Sequence, residues 1–382
     1  MTQLIAFPDR ANTVVPERLS AARIALQLSR ADVARHLGVT STTIGYYETG
    51  QRRPDMATLI KLSELLRQPV GHYLSPVREV RKGYRFFRSV GPKSNKLNMA
   101  LDVRSDWLVE FVATLEQRGW RLPAINVPDL HIDAEEDGYS PAQIEFAATS
   151  VRRHWGLGDG PINSMVALLE SNGIVVGRFS LPSSKIDAFS FRVNGRPYIV
   201  LGSDKSSAVR SRFDAAHELG HLILHRSVSP EEMESAQVRR RVEAEANQFA
   251  GAFLLPRSSM LREFYSTRAP HLRGLKQRWL VSMQAIAYRA LALGAIDESQ
   301  FIAFRVQLTK RKELSREPLD DVIPIERPGL LYNAWKKLVE TKRLPALDAT
   351  ETLGFSIDVL NDYLGREIQR QPPQASQILG DI

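Results

Sequence analysis

The run His217-Glu218-Leu219-Gly220-His221 restricts this chain more than any other feature of it. Residues four apart on a helix differ by only ~40° about the axis, so the two imidazoles project together and can chelate one metal ion. Glu218 lies beside them, where its carboxylate can take a proton from a water activated at the metal. The segment 206–226 reads as the long helix this geometry requires, and it follows a clear hairpin signal. In that hairpin, Phe189, Phe191 and Val193 alternate, Asn194-Gly195 fits a type I′ turn, and PYIVL returns.

A third ligand should come from a second helix, and 231–254 supplies one through VEAEANQFAGAFLLP. Ala246, Phe249, Ala250 and Phe253 make its core stripe. Glu243 and Asn247 share a neighbouring face, suited to a carboxylate ligand with a polar residue supporting the site one turn later. Glu245 lies about 200° round from Glu243 and reads as a solvated charge. His225 reads as a helix-end histidine near backbone carbonyls. It is also, with Tyr198 and Tyr288, a candidate to stabilise an oxyanion.

Composition narrows the chemistry further. The 382 residues hold no cysteine, which removes disulfides, thiolate metal ligands and a cysteine nucleophile. The length suits two or three domains. No apolar run approaches a membrane span, and Pro8, Asp9 and Arg10 interrupt any signal-peptide core, so a cytoplasmic protein with no membrane partner is expected. The net charge of +8 points to an anionic partner only if it is concentrated somewhere.

Residues 16–75 read as short helices with tight turns. PERLSAARIALQLS and RADVARHLG precede VTSTTIGYYETG, with Thr40 as N-cap, and RPDMATLIKLSELLRQ follows, with Asp55 as N-cap. Val39, Ile44 and Tyr47 suit the core of this region. Ser41, Thr42, Thr43 and Tyr46 can face a major groove, and Arg30, Arg52 and Arg53 suit phosphate contacts. Gly45 could allow close backbone approach. The stretch 76–96 carries seven basic residues and one acid and reads as a linker with one short strand near Tyr84–Arg88. Later segments are mixed, then mostly helical, with a strand expected at Phe301–Leu308.

RFDAAHELGHLILH followed by EAEANQFAGAFLLP resembles the ImmA/IrrE family of metallopeptidase-like domains over roughly Pro141–Ile296. That resemblance implies zinc held by His217, His221 and Glu243, with Glu218 as general base. A peptide substrate would align along an edge strand of the hairpin. Glu48-Thr49-Gly50-Gln51-Arg52-Arg53-Pro54 resembles the end of the recognition helix in the XRE helix-turn-helix family, which implies a five-helix domain, an operator in double-stranded DNA and a homodimer.

The expected fold is therefore multidomain and mainly α with a small β-sheet. A helix-turn-helix domain spans 16–75 and a basic linker and helical connector 76–140. An α+β zincin-like domain spans 141–300, and a mostly helical extension 301–382. Two functions follow from the resemblances. One is a DNA-binding regulator whose endopeptidase cleaves a repressor-type protein, or its own linker, to control stress or mobile-element genes. The other is a non-proteolytic antitoxin that represses its operon and binds a toxin, the zinc domain sensing or docking. Pro324–Ile382 could hold a partner, but packing onto the protease domain is the expected role.

Overall fold

The computed structural model describes residues 13–78, 82–87, 95–135, 137–179, 187–203, 207–229, 231–344, 350 and 353–368, with 82–87 and 95 described by backbone alone. The connector residues 79–81 and 88–94 and the C-terminal residues 369–382 lie outside that set. The chain divides into two compact units. One comprises 1–80, 91–121 and 331–382; the other comprises 81–90 and 122–330. Among the described residues, no helix is long and apolar enough to cross a membrane.

The first unit opens with five helices: α1 (Pro16–Ala25), α2 (Arg30–Leu37), α3 (Ser41–Glu48), α4 (Met56–Leu66) and α5 (Val70–Leu74). Local chemistry sets their starts. Ser29 and Asp32 form a capping box on α2, and Thr40 and Asp55 cap α3 and α4 by accepting from the N–H of Thr43 and Thr58. Leu19, Ala22, Val33, Ile44, Leu59, Leu62 and Leu66 fill the centre. Val39, expected inside, is 37% exposed. It lies in the bend between the Gly38 cap of α2 and the Thr40 cap of α3.

A long helix, α6 (Asn95–Gln117), completes this unit together with the C-terminal segment. Phe355 and Tyr363 pack on Trp107 and Phe111, and the Tyr363 hydroxyl donates to the Arg104 carbonyl at 2.9 Å. Arg104 also pairs with Asp362. The segment from Leu331 onward thus belongs with the N-terminal helices, which overturns its expected role as packing for the protease domain. The cause lies in its aromatic residues, which find their partners on α6.

The second unit is a four-stranded sheet with helices. Its strands are β1 (Lys82–Phe87), β2 (Val175–Phe179), β3 (Ala188–Val193) and β4 (Arg196–Gly202), in the order β1-β3-β4-β2. The hairpin forms as its turn requires, with Asn194 and Gly195 both at positive φ, 49° and 79°. β2 runs parallel to β4, and β1 pairs antiparallel with β3. Both hairpin strands are therefore paired on both sides, so neither is the open edge the sequence suggested.

The helices are α7 (Pro141–His154), α8 (Met165–Ser171), α9 (Ala208–Leu224), α10 (Ala236–Leu254), α11 (Arg257–Glu263), α12 (Ala269–Trp279), α13 (Met283–Ala292) and α14 (Glu298–Lys310). α14 replaces the strand expected at Phe301–Leu308. Asp297 and Gln300 form a capping box, and Phe304 and Leu308 bury one face four residues apart. One core joins Ile174, Val176, Ile199 and Leu201 of the sheet region to Leu219, Phe249, Phe253, Ile286 and Ala290. Nearly all of α9 is buried, so its polar residues must find partners inside the protein.

Candidate metal centre and groove-facing helix

Close contact between α9 and α10 builds the first site. Gly220 makes that contact possible: a Cβ there would lie 3.1 Å from Phe249 Cδ1 and 3.3 Å from the Ala246 backbone. The approach brings Glu243 on α10 to the two histidines on α9. Its Oε2 lies 3.4 Å from His217 Nε2, and its Oε1 lies 3.7 Å from His221 Nε2. The two Nε2 atoms are 2.9 Å apart. Both imidazoles are fully buried, whereas the Glu243 side chain keeps 26% of its surface.

The proton positions follow from what stands behind each ring. Asn247 Oδ1 lies 3.0 Å from His217 Nδ1, so that nitrogen donates. Behind His221, the Nδ1 atom faces His225 Nδ1 at 3.0 Å, and His225 Nε2 faces Glu245 Oε2 at 2.8 Å. A carboxylate only accepts, so His225 Nε2 carries the proton. A neutral His225 then accepts at Nδ1, and His221 Nδ1 must donate.

Both Nε2 atoms are left presenting lone pairs towards the Glu243 carboxylate. Such a cluster of acceptors is repulsive by itself and attractive around a cation. Ligands at ~2.0–2.1 Å in tetrahedral array lie about 3.3 Å apart, close to these spacings. The donor set fits a divalent metal. His217, Glu218 and His221 also form the metal-competent group found among the described residues.

Glu218 is fully buried, and Ser190 on β3 donates to its Oε2 at 2.6 Å. Sequence reasoning passed over Ser190. Its only signal was a polar residue at a core-facing position between Phe189 and Phe191. Glu245 was also misread: it is buried, accepts from the Tyr139 N–H at 2.9 Å through Oε1, and holds His225 through Oε2. His225 correspondingly turns its ring to His221 and Glu245, not to carbonyls. Gly138 gives Glu245 room, since a Cβ there would fall 2.1 Å from Glu245 Oε1 and its φ is +102°. The other two oxyanion candidates lie elsewhere. Tyr198 is buried and stacked on Phe191, while Tyr288 is 61% exposed. A cavity of about 490 Å³ that Tyr288 lines, with Arg210, Phe213 and Asp214, begins one turn before His217 on α9 and includes none of the metal-competent residues.

These observations accord with sequence comparison. Residues 169–291 match the peptidase family model described as the IrrE N-terminal-like domain. The second unit holds a segment similar to the IrrE-like peptidase domain. Residues 19–71 match the helix-turn-helix family model, so the chain joins a DNA-binding fold to that domain. No curated protein matches the chain. The IrrE-like match holds the entire histidine–glutamate cluster, Ser190, His225 and Glu245, but not Gly138, Tyr139 or β1.

In the helix-turn-helix domain, Ser41, Thr42 and Tyr46 on α3 and Arg52 and Arg53 after it are all exposed. Thr43 is half-buried, with its N–H and hydroxyl engaged by Thr40. Arg52 lies 5.7 Å from the Tyr46 ring centroid. Arg30 is held differently: its Nε lies 2.7 Å from Glu48 Oε2, a carboxylate that also binds Arg23 at 2.5 Å. Part of its charge is thus spent inside the domain. Gly45 leaves ordinary contact room, since a Cβ would meet the Arg30 guanidinium at 3.7 Å.

Proposed function

We infer that the chain is a DNA-binding transcriptional regulator whose IrrE-like domain is a zinc-dependent endopeptidase. The observation that carries this reading is Glu218, a buried carboxylate oriented by Ser190 beside an all-acceptor cluster. With His217, His221 and Glu243 as the three ligands, Glu218 is a further carboxylate that a purely structural site would not need.

His217, His221 and Glu243 would hold the ion, and imidazole-rich ligation with one carboxylate suits zinc. When bound, zinc supplies Lewis acidity, polarising the scissile carbonyl and lowering the pKa of water towards ~7. Glu218 takes the proton from the attacking water and delivers it to the leaving amine. Ser190 keeps the carboxylate aimed through that exchange. Asn247 and His225 keep the ligand lone pairs pointed inward by accepting the protons on the other ring nitrogens.

The helix-turn-helix domain supplies address. α3 would enter the major groove with Ser41, Thr42, Thr43 and Tyr46, while Arg52 and Arg53 meet phosphates and Arg30 contributes what Glu48 leaves. A homodimer on paired half-sites in the cytoplasm is the simplest assembly. The substrate would be a repressor-type protein or the chain itself, and cleavage would release genes for stress or mobile elements. Comparing wild type with Glu218→Gln at equal zinc content, by intact mass of candidate repressors, tests the reading. Cleavage by wild type alone supports it; identical behaviour of the two proteins with every substrate contradicts it.

A further inference from the structure

The fourth strand of the peptidase sheet comes from an unexpected place. β2, β3 and β4 lie within the matched IrrE-like segment, whereas β1 is contributed from residues 82–87, about ninety residues upstream of that match's sheet. The chain on both sides of it, up to Val80 and from Gly91, belongs to the other compact unit. The strand at 82–87 thus groups with one unit, while the chain before and after it in sequence groups with the other.

The edge it covers is the one beside the candidate catalytic carboxylate. Phe86 is the register partner of Ser190, and Ser190 donates to Glu218. Phe87 and Arg85 are the register partners of Phe189 and Phe191. Paired strands lie about 4.8 Å apart, so the β1 backbone runs one strand-width from the strand that orients Glu218. A peptide recognised by main-chain pairing at that edge would need this same position. The hold on β1 is also limited: it is six residues long, contains Gly83 and slips register between Lys82 and Arg85.

We propose that β1 is an intramolecular occupant of the substrate groove, and that an extended peptide binds antiparallel to β3 only when β1 leaves. This deepens the peptidase reading and rests on it. The substrate class is an unfolded or strand-forming segment, basic and aromatic like KGYRFF itself. Tethering keeps β1 at an effective concentration on the order of millimolar, so a free peptide competes poorly until the connector is pulled away. Events at the DNA-binding unit, which carries both ends of the connector, then govern access to the peptidase.

The absence of native cysteine makes a clean test possible. Lys82 and Val193 are register partners, so Lys82→Cys with Val193→Cys can staple β1 in place in the full chain. The probe is a fluorescein-labelled synthetic peptide of residues 80–90, with binding read by anisotropy. Oxidation should lose binding, and reduction should restore it. In Arg85→Pro/Phe86→Pro, which removes ladder hydrogen bonds from β1, the peptide should bind about tenfold tighter or more than in wild type. Amide exchange over 188–193 should quicken in that variant and slow again with peptide. Equal binding to the oxidised and reduced staple would overturn the proposal, whatever the proline variant does. Binding is read without turnover. Strand exchange as expected with no proteolysis of any substrate would contradict the peptidase reading and leave the groove assignment standing.

Discussion

Glu245 Oε2 lies 2.8 Å from His225 Nε2, and this buried pair stands directly behind His221. The carboxylate fixes the His225 tautomer, which fixes that of His221, which aims a lone pair at the metal position. His225→Phe keeps the volume and removes both hydrogen bonds. Metal affinity, read on the folded protein by competition with a chromophoric chelator, should fall about 10–100-fold. His225→Gln, which retains an acceptor and a donor, should recover part of the loss. Unchanged affinity in His225→Phe would refute the relay.

Glu243 and Glu245 differ by two positions and by the job assigned to each. Glu243→Ala should leave the purified protein almost free of metal, whereas Glu245→Gln, whose amide oxygen still accepts from His225, should keep it with reduced affinity. Metal analysis of both proteins decides the point. Retention by Glu243→Ala with loss from Glu245→Gln would move the ligand along α10.

Ser190→Ala removes the hydroxyl that orients Glu218. The expected result is full metal content with kcat reduced about tenfold or more and KM little changed, because the bond serves proton transfer and not substrate binding. An equal fall in metal content would show that Ser190 supports the fold of the centre.

How far the sequence alone reached can be seen at these residues. The α9 helix, the hairpin and the Glu243–Asn247 face were legible because each rests on a fixed period or a specific turn. Glu245 and His225 were misread because helical angle says where a side chain starts and not what meets it. The partner of Glu245, the N–H of Tyr139, lies 106 residues away from it in sequence. β1 was recognised as a strand, but not as a member of the peptidase sheet, since pairing between distant segments leaves no local signature. The C-terminal segment was misassigned for the same reason.

Arg52→Ala with Arg53→Ala should weaken DNA binding on all sequences and make the plot of log affinity against log salt shallower by about two. Both side chains are exposed beside α3, free of the internal ion pair that holds Arg30. A sequence-selective loss would make them base contacts.

Glu170 gives the peptidase unit a pH dependence. Its carboxyl accepts from the N–H groups of Gly329 and Leu330, yet burial raises its pKa from 4.5 to about 7. The neutral acid is favoured in the folded state, so its stabilising contribution is full below about pH 4.5 and is lost as pH rises through 7. Glu170→Gln should remove that slope and gain stability over wild type above pH 7, by on the order of 3 kcal/mol at most. Parallel melting curves from pH 5 to 8.5 measure the difference, and parallel pH profiles in the two proteins would contradict it.

The most direct test of the account is cleavage by wild type and Glu218→Gln, loaded with zinc to the same measured stoichiometry. A mixed library of unstructured peptides containing basic and aromatic residues serves as substrate, with products read by mass spectrometry. The account predicts about one zinc per chain in both proteins, and peptide-bond hydrolysis that is present in wild type and lost in the mutant. Zinc-loaded wild type that cleaves nothing even with β1 disrupted, or a mutant that cleaves as well as wild type, would contradict it.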